Sequence, residues 1–95
     1  MFVQVSWIEV HPGKIEQIKT IFQESVLPII EKQEGFIKFN LYTNEKDNSI
    51  IVNSFWDTEH NIEVVFSSGI YQEQVSKFEN LFASPPIRNV FKISI

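Results

Sequence analysis

The chain predicts an α+β domain of four antiparallel strands and two helices, in the order β-α-β-β-α-β. Three features carry this reading. Apolar-rich runs at 2–9, 36–43, 50–56 and 89–95 are short, rich in β-branched and aromatic residues, and tend to alternate with polar ones. Two stretches between them repeat apolar residues at three- and four-residue steps, the period of a half-buried helix. Turn-forming residues separate the segments: His11-Pro12-Gly13, Gly35, the polar run Asn44–Ser49 and Pro85-Pro86.

The first strand, FVQVSWIE, sets Phe2, Gln4, Ser6 and Ile8 on one face and Val3, Val5 and Trp7 on the other. After the His11-Pro12-Gly13 break, Ile15, Ile18, Phe22, Val26 and Ile29 form one apolar stripe with Glu16, Gln17, Lys19, Gln23 and Glu24 between them. This predicts an amphipathic helix. Pro28 should kink or end it, because the ring removes a backbone donor and crowds the preceding turn. The expected helix is bent and finishes near Lys32, with Gly35 releasing the chain.

Strands 36–43 and 50–56 are joined by a short polar turn and should be antiparallel neighbours. Asp57 or Thr58 is the expected N-cap of a second helix, broken at Ser67-Ser68-Gly69 and resuming from Tyr71. Val75, Phe78, Leu81 and Phe82 supply its second stripe, and Pro85-Pro86 stops it. A last strand over 89–95 would align Phe91, Ile93 and Ile95. The order is that of the split βαβ, ferredoxin-like arrangement. Two helices cover one face of such a sheet, and the other face is apolar too. A second copy is its natural cover, so a homodimer is expected.

Ninety-five residues make one domain, 1–95. Hydrophobic residues amount to 43%, including nine Phe, two Trp and two Tyr, which exceeds what a thin core needs and leaves material for an interface or a pocket. The net charge is −4 with the basic residues scattered singly, so neither a nucleic acid nor an anionic membrane is an expected partner. There is no cysteine, which excludes disulfides, thiolate metal sites and a cysteine nucleophile. Residues 1–5 have no basic region and no long apolar run, so no signal peptide is expected and a cytoplasmic location is.

His11-Pro12-Gly13 after the first strand, Pro28 late in the first helix, Glu34-Gly35-Phe36 entering the second strand, Phe55-Trp56-Asp57-Thr58-Glu59 leaving the third and the small-residue break Ser67-Ser68-Gly69 stand in an order that resembles the antibiotic biosynthesis monooxygenase family. The resemblance implies a dimeric α+β barrel, in which two four-stranded sheets pair, and a pocket between each sheet and its helices. It also implies an activity that varies from member to member: oxidation of quinols or anthrone-like polyketides with O2 and no cofactor, haem cleavage, or isomerisation of small sugar-derived signals. The positions at which haem-degrading relatives carry Asn, Trp and His fall at Ser6, Val65 and Val75. The helix-two histidines of quinol-oxidising relatives fall at Val64 and near Gly69 to Ile70. The haem reading thus lacks its ligand, and the quinol reading lacks its most obvious base.

Oxygenation without a cofactor needs a base, a dry pocket and donors for the substrate oxyanion. His60, in the first turn of the second helix, is the candidate base, against the plain alternative of a solvent-facing imidazole. His11, beside a Pro-Gly turn, reads as loop surface. Asn53 is a second catalytic candidate, able with Ser groups to hold a water as base. Ser6 and Asn40 are polar residues within apolar strands, suited to a ligand oxygen or to a structural hydrogen bond. Trp56 would wall a flat substrate or pack in the core. Tyr71 would reach the pocket mouth or cap the broken helix. No metal site is expected, since the two His have no paired ligands beside them. The expected function is a cofactor-free monooxygenase acting on a small aromatic or quinol-like molecule. The alternatives are a non-enzymatic or stress-associated dimer that binds a small apolar molecule, and an isomerase of a small carbonyl compound.

Overall fold

A computed structural model describes residues 1–95. The elements are β1 (Phe2–Glu9), α1 (Ile15–Ile21), a π turn (Phe22–Val26), α2 (Leu27–Ile30), β2 (Phe36–Asn44), β3 (Ser49–Trp56), α3 (Glu59–Ser67), α4 (Ile70–Val75), a 3-10 turn (Glu79–Leu81) and β4 (Ile87–Lys92). The strands form one antiparallel sheet in the order β2-β3-β1-β4, the ferredoxin-like arrangement the sequence predicts. β1 and β3 are central and pair from Phe2↔Trp56 to Glu9↔Ser49 without a slip. The one irregularity is a bulge in β2 between Phe36 and Lys38.

Helices cover one face only. On that side Ile8, Val52, Trp56, Ile50, Phe22, Val26, Ile18 and Ile30 are among the 16 buried residues of the apolar core. Aromatic edges lock it: Phe22 meets Phe78 edge-on at 5.4 Å between ring centroids, and Phe36 meets Trp56 at 5.6 Å. Such pairs add roughly 1 kcal/mol each beyond the area they bury.

The first helix resolves Pro28 without breaking. The Leu27 N–H bonds back to the Phe22 carbonyl, five residues away, where the turn widens from α to π. A π turn leaves room next to a ring that can make no helical N–H bond and would crowd the preceding turn. The helix therefore runs through Pro28 to Ile30, and Gly35 reverses the chain at φ +84°. In the second helix the expected break occurs at Gly69, whose φ of +82° ends α3 and starts α4.

The last strand differs from the expected 89–95. It spans Ile87–Lys92: Pro85 and Pro86 directly precede its first residue, and its last, Lys92, stands opposite Phe2, where β1 begins. Beyond Lys92, a single backbone bond from the Ile93 N–H to the Met1 carbonyl continues the pairing. Ile95 therefore does not share a strand face with Phe91. Arg88, which the expected boundary leaves in a loop, stands inside β4 opposite Ser6.

Helix α3 begins at Thr58 with a reciprocal cap: Thr58 Oγ1 accepts from the Asn61 N–H at 3.1 Å, and Asn61 Oδ1 accepts from the Thr58 N–H at 3.1 Å. The Asn61 amide lies against Gly35, where any Cβ would collide with it, and the Gly35 carbonyl accepts from the Asp57 N–H at 2.9 Å. The cap and the entry into β2 are thus built against each other. Gly35→Ala combines a left-handed φ with that collision, and should destabilise the fold by about 2–3 kcal/mol in urea unfolding. Adding Asn61→Ala should cost less in that background than in the wild type, since the displaced cap is already lost.

Candidate functional site

The two-residue period of β1 and β3 divides their polar residues between the faces. Gln4, Ser6 and Ser54 point into the helix-covered side and are 7%, 4% and 5% exposed. Gln4 stands opposite Ser54 on one side, and Ser6 stands opposite Arg88 on the other. These residues form a polar strip across three strands, whose Arg88 end meets Phe66 of α3 and Tyr71 of α4.

The break supplies the strip with aromatic walls. Phe66, in the last turn of α3, packs against Tyr71 at 4.7 Å between centroids. The Arg88 guanidinium lies 5.5 Å from the Phe66 ring centre and 5.7 Å from that of Tyr71, within the range of cation–π attraction. Burial pushes the Tyr71 phenol up to about 12 despite the opposing positive charge of Arg88, so it is a neutral hydroxyl at physiological pH. The Trp56 indole N–H donates to Ser54 Oγ at 2.9 Å, which holds that hydroxyl in place. Gln4, Ser6 and Tyr71 form no side-chain hydrogen bond within the chain. Yet Asn53 Oδ1 is the one fully buried side-chain polar atom without a partner, so the polar ends of those three still reach accessible space. The Arg88 end of the strip thus combines two aromatic rings, an exposed guanidinium and the unengaged Ser6 and Tyr71 hydroxyls.

Of the residues the sequence singles out, the fold brings together Ser6, Trp56 and Tyr71 on the helix-covered side, with Trp56 wholly inside the core. Asn40 and Asn53 oppose each other on the open face, away from that group. The His60 side chain is 80% exposed, and its Nδ1 lies 3.9 Å from Glu63 Oε2. His11 is exposed at the turn. Sequence reasoning missed Gln4, Ser54, Phe66 and Arg88. The alternation of β1 and β3 carried a signal for the first two, which share faces with Ser6 and Trp56. Arg88 had none once the last strand was placed two residues late.

On the open face the middles of all four strands line up as Asn40, Asn53, Val5 and Asn89. Large apolar side chains flank this row: Trp7 is 50% exposed, Tyr42 52%, Ile87 64% and Phe91 53%. Clefts open on both sides of the sheet. One of about 350 Å³ separates the first helix from β2 and is lined by Lys19, Phe22, Gln23, Leu27, Phe39 and Leu41. Another of about 250 Å³ lies on the open face beside Trp7, Tyr42 and Ile51. No three His, Cys, Asp or Glu side chains group so as to hold a metal ion, and no helix is long and apolar enough to cross a membrane.

Among solved structures, the chain is similar to a protein of Bordetella bronchiseptica that carries the antibiotic biosynthesis monooxygenase designation. That match has a TM-score of 0.84 and 20% identity, and covers 99% of this chain and 97% of the other. The chain is also similar to ActVA-Orf6, a monooxygenase of Streptomyces coelicolor solved with nanaomycin D, at TM-score 0.84, 16% identity and coverage of 98% and 87%. A third match is SnoaB, a cofactor-independent oxygenase of Streptomyces nogalater solved as a mutant, at TM-score 0.80, 16% identity and coverage of 97% and 91%. Identities this low establish a shared fold. No curated relative matches at the sequence level. The family model described as antibiotic biosynthesis monooxygenase matches residues 1–77, from β1 past the end of α4, and the chain accordingly belongs to that family.

Proposed function

We propose that this chain is a monooxygenase of small aromatic compounds that works as a homodimer without a bound cofactor, and that its substrate lies between the polar strip of the sheet and the α3–α4 break. The observation that carries the reading is Arg88 held against Phe66 and Tyr71 and opposite Ser6. An anthrone or hydroquinone oxygen beside this guanidinium loses its proton to solvent more readily, because the cation stabilises the oxyanion. The resulting electron-rich enolate is the species that reacts with O2. For an anthrone, the methylene carbon gains one oxygen atom as a carbonyl, and the second oxygen leaves as water with the two methylene hydrogens. Tyr71 and Ser6 offer hydroxyls to the ligand, and Trp56 backs the site through Ser54. Phe66 and Tyr71 close the strip from above.

The open sheet face belongs to the same reading, as the surface that a second copy covers. Light scattering at micromolar concentration should return twice the chain mass. Phe91→Glu combined with Ile51→Glu should return the mass of one chain, since two charges buried without partners oppose association.

A binding role without turnover is the second reading. It is favoured by the buried set, which contains no Asp, Glu or His and so offers no side-chain base. Oxygen uptake by the metal-free protein with a panel of anthrones and hydroquinones separates the two. Uptake above the spontaneous rate, with product oxygen derived from O2, is expected of the oxygenase. Stabilisation by a ligand that emerges unchanged is expected of the binder. In the oxygenase, Arg88→Met should lower kcat/KM by about 10- to 100-fold while the exposed edge position keeps the fold intact. His60→Ala should leave it unchanged.

The Tyr71 hydroxyl provides a test on stability. Its value in the folded chain lies above that of the unfolded one, so its contribution is fully present below pH 10 and is lost as pH rises toward 12. Wild-type stability should fall over that window by roughly 2–3 kcal/mol more than that of Tyr71→Phe, measured by urea unfolding. In a tyrosinate absorbance titration, Tyr71→Phe should remove the late phase.

A further inference from the structure

We infer that the Gln4 side-chain amide is a second ligand anchor of the candidate site, hydrogen-bonded to a neutral oxygen of an aromatic molecule whose ionised oxygen lies at Arg88. The chain thereby selects aromatics with oxygens on opposite edges of a ring over those with a single oxygen. The inference rests on the site proposed above and assigns it a specificity-determining residue.

Gln4 lies on the helix-covered face of β1 and is 7% exposed. Its amide makes no hydrogen bond within the chain, yet neither polar end is fully enclosed. The residues around it do not occupy it. Ser54, across from it on β3, accepts the Trp56 indole N–H at 2.9 Å, and Val90, across from it on β4, is apolar. Its same-face neighbours along β1 are Phe2 and Ser6. An amide so placed gives up hydration without gaining a bond, and a Leu or Met would fill a similar volume without that loss. A ligand group is the partner that its accessible polar ends admit.

The ladder between β1 and β4 shows where that group comes from. Gln4 and Ser6 on β1 stand opposite Val90 and Arg88 on β4, so the four residues form a square on one face. Val90 is 37% exposed and Arg88 is exposed as well, so the helices leave the β4 side of the square uncovered. Gln4 and Arg88 occupy opposite corners, about 7–8 Å apart as diagonal neighbours of an antiparallel pair. A ring resting on the square against Val90 directs substituents on its opposite edges at those two corners. Phe66 and Tyr71 border the Arg88 corner.

The corners differ in charge. A guanidinium favours an oxyanion, whereas an amide donates and accepts without charge and suits a hydroxyl or a carbonyl. The pair therefore sets which oxygen of a dioxygenated ring ionises, as well as how the ring lies.

Calorimetric titration under argon with 1,4-dihydroxynaphthalene and 1-naphthol tests this, because the two probes differ only in the far oxygen. The wild type should bind the dihydroxy probe about 10-fold or more tightly than 1-naphthol, which leaves the Gln4 amide unpaired. In Gln4→Leu the two affinities should come within about threefold of each other, with 1-naphthol bound no more weakly than by the wild type. The urea midpoint of Gln4→Leu should equal or exceed that of the wild type, which a purely structural role for the amide would lower. Should Gln4→Leu fail to fold, Gln4→Met is measured in its place, and failure of both would overturn the inference, since the amide would then hold the fold. A wild type without preference, or a Gln4→Leu that keeps the preference, would overturn it as well. A wild type that binds neither probe would remove the site reading and this inference with it. Preference without oxygen uptake would sink the oxygenase reading alone and leave the role of Gln4 standing.

Discussion

β1 is hydrogen-bonded to β3 along its whole length and to β4 from Phe2 to Trp7, so its two-residue alternation determines both faces of the sheet at once. A slip of one residue would send Trp7 into the core and Ser6 into the open, exchanging every other side chain with them. The constraint is strong because one face is filled by a close-packed core with Trp56 and Phe22 at its centre. The polar strip under the helices, the aromatic edges that hold them and the apolar outer face all inherit their positions from this one register.

The helical layer adapts to the sheet at two points of backbone chemistry. Pro28 is accommodated by a π turn, which widens the helix but leaves its apolar stripe on the sheet. Gly69 takes a left-handed conformation and divides the second helix, which lets Phe66 and Tyr71 fold over β4 and meet Arg88. Without that division a straight helix would carry the two residues, five apart in sequence, onto different faces. The break is therefore what lets the two rings meet, in addition to a connection between helices.

The two faces carry different chemistry for the same physical reason. Polar groups enclosed among apolar ones must find partners. On the helix-covered side Ser6 and Tyr71 stand beside a cation and the Phe66 ring. On the open side Asn40, Asn53 and Asn89 stand in a row among apolar side chains that no element of the chain covers. Family membership accounts for the scaffold, while the chemistry belongs to the residues that this chain places on it.

Much of this was legible in the sequence. Period and turn residues determined the order of elements, both faces of β1, the Thr58 cap and the break at Ser67-Ser68-Gly69, because each depends on contacts within a few residues. An apolar run with no cover of its own also showed that one sheet face was surplus to the core. Tertiary structure alone decided where β4 ends, since the length of its partner limits it, and hence that Arg88 stands opposite Ser6. It also separated Asn53 and Asn40 from Ser6, Trp56 and Tyr71, and left His60 facing solvent. Those relations join residues many positions apart through strand register and helix packing, and no local pattern encodes the distance between side chains that the chain brings together only on folding.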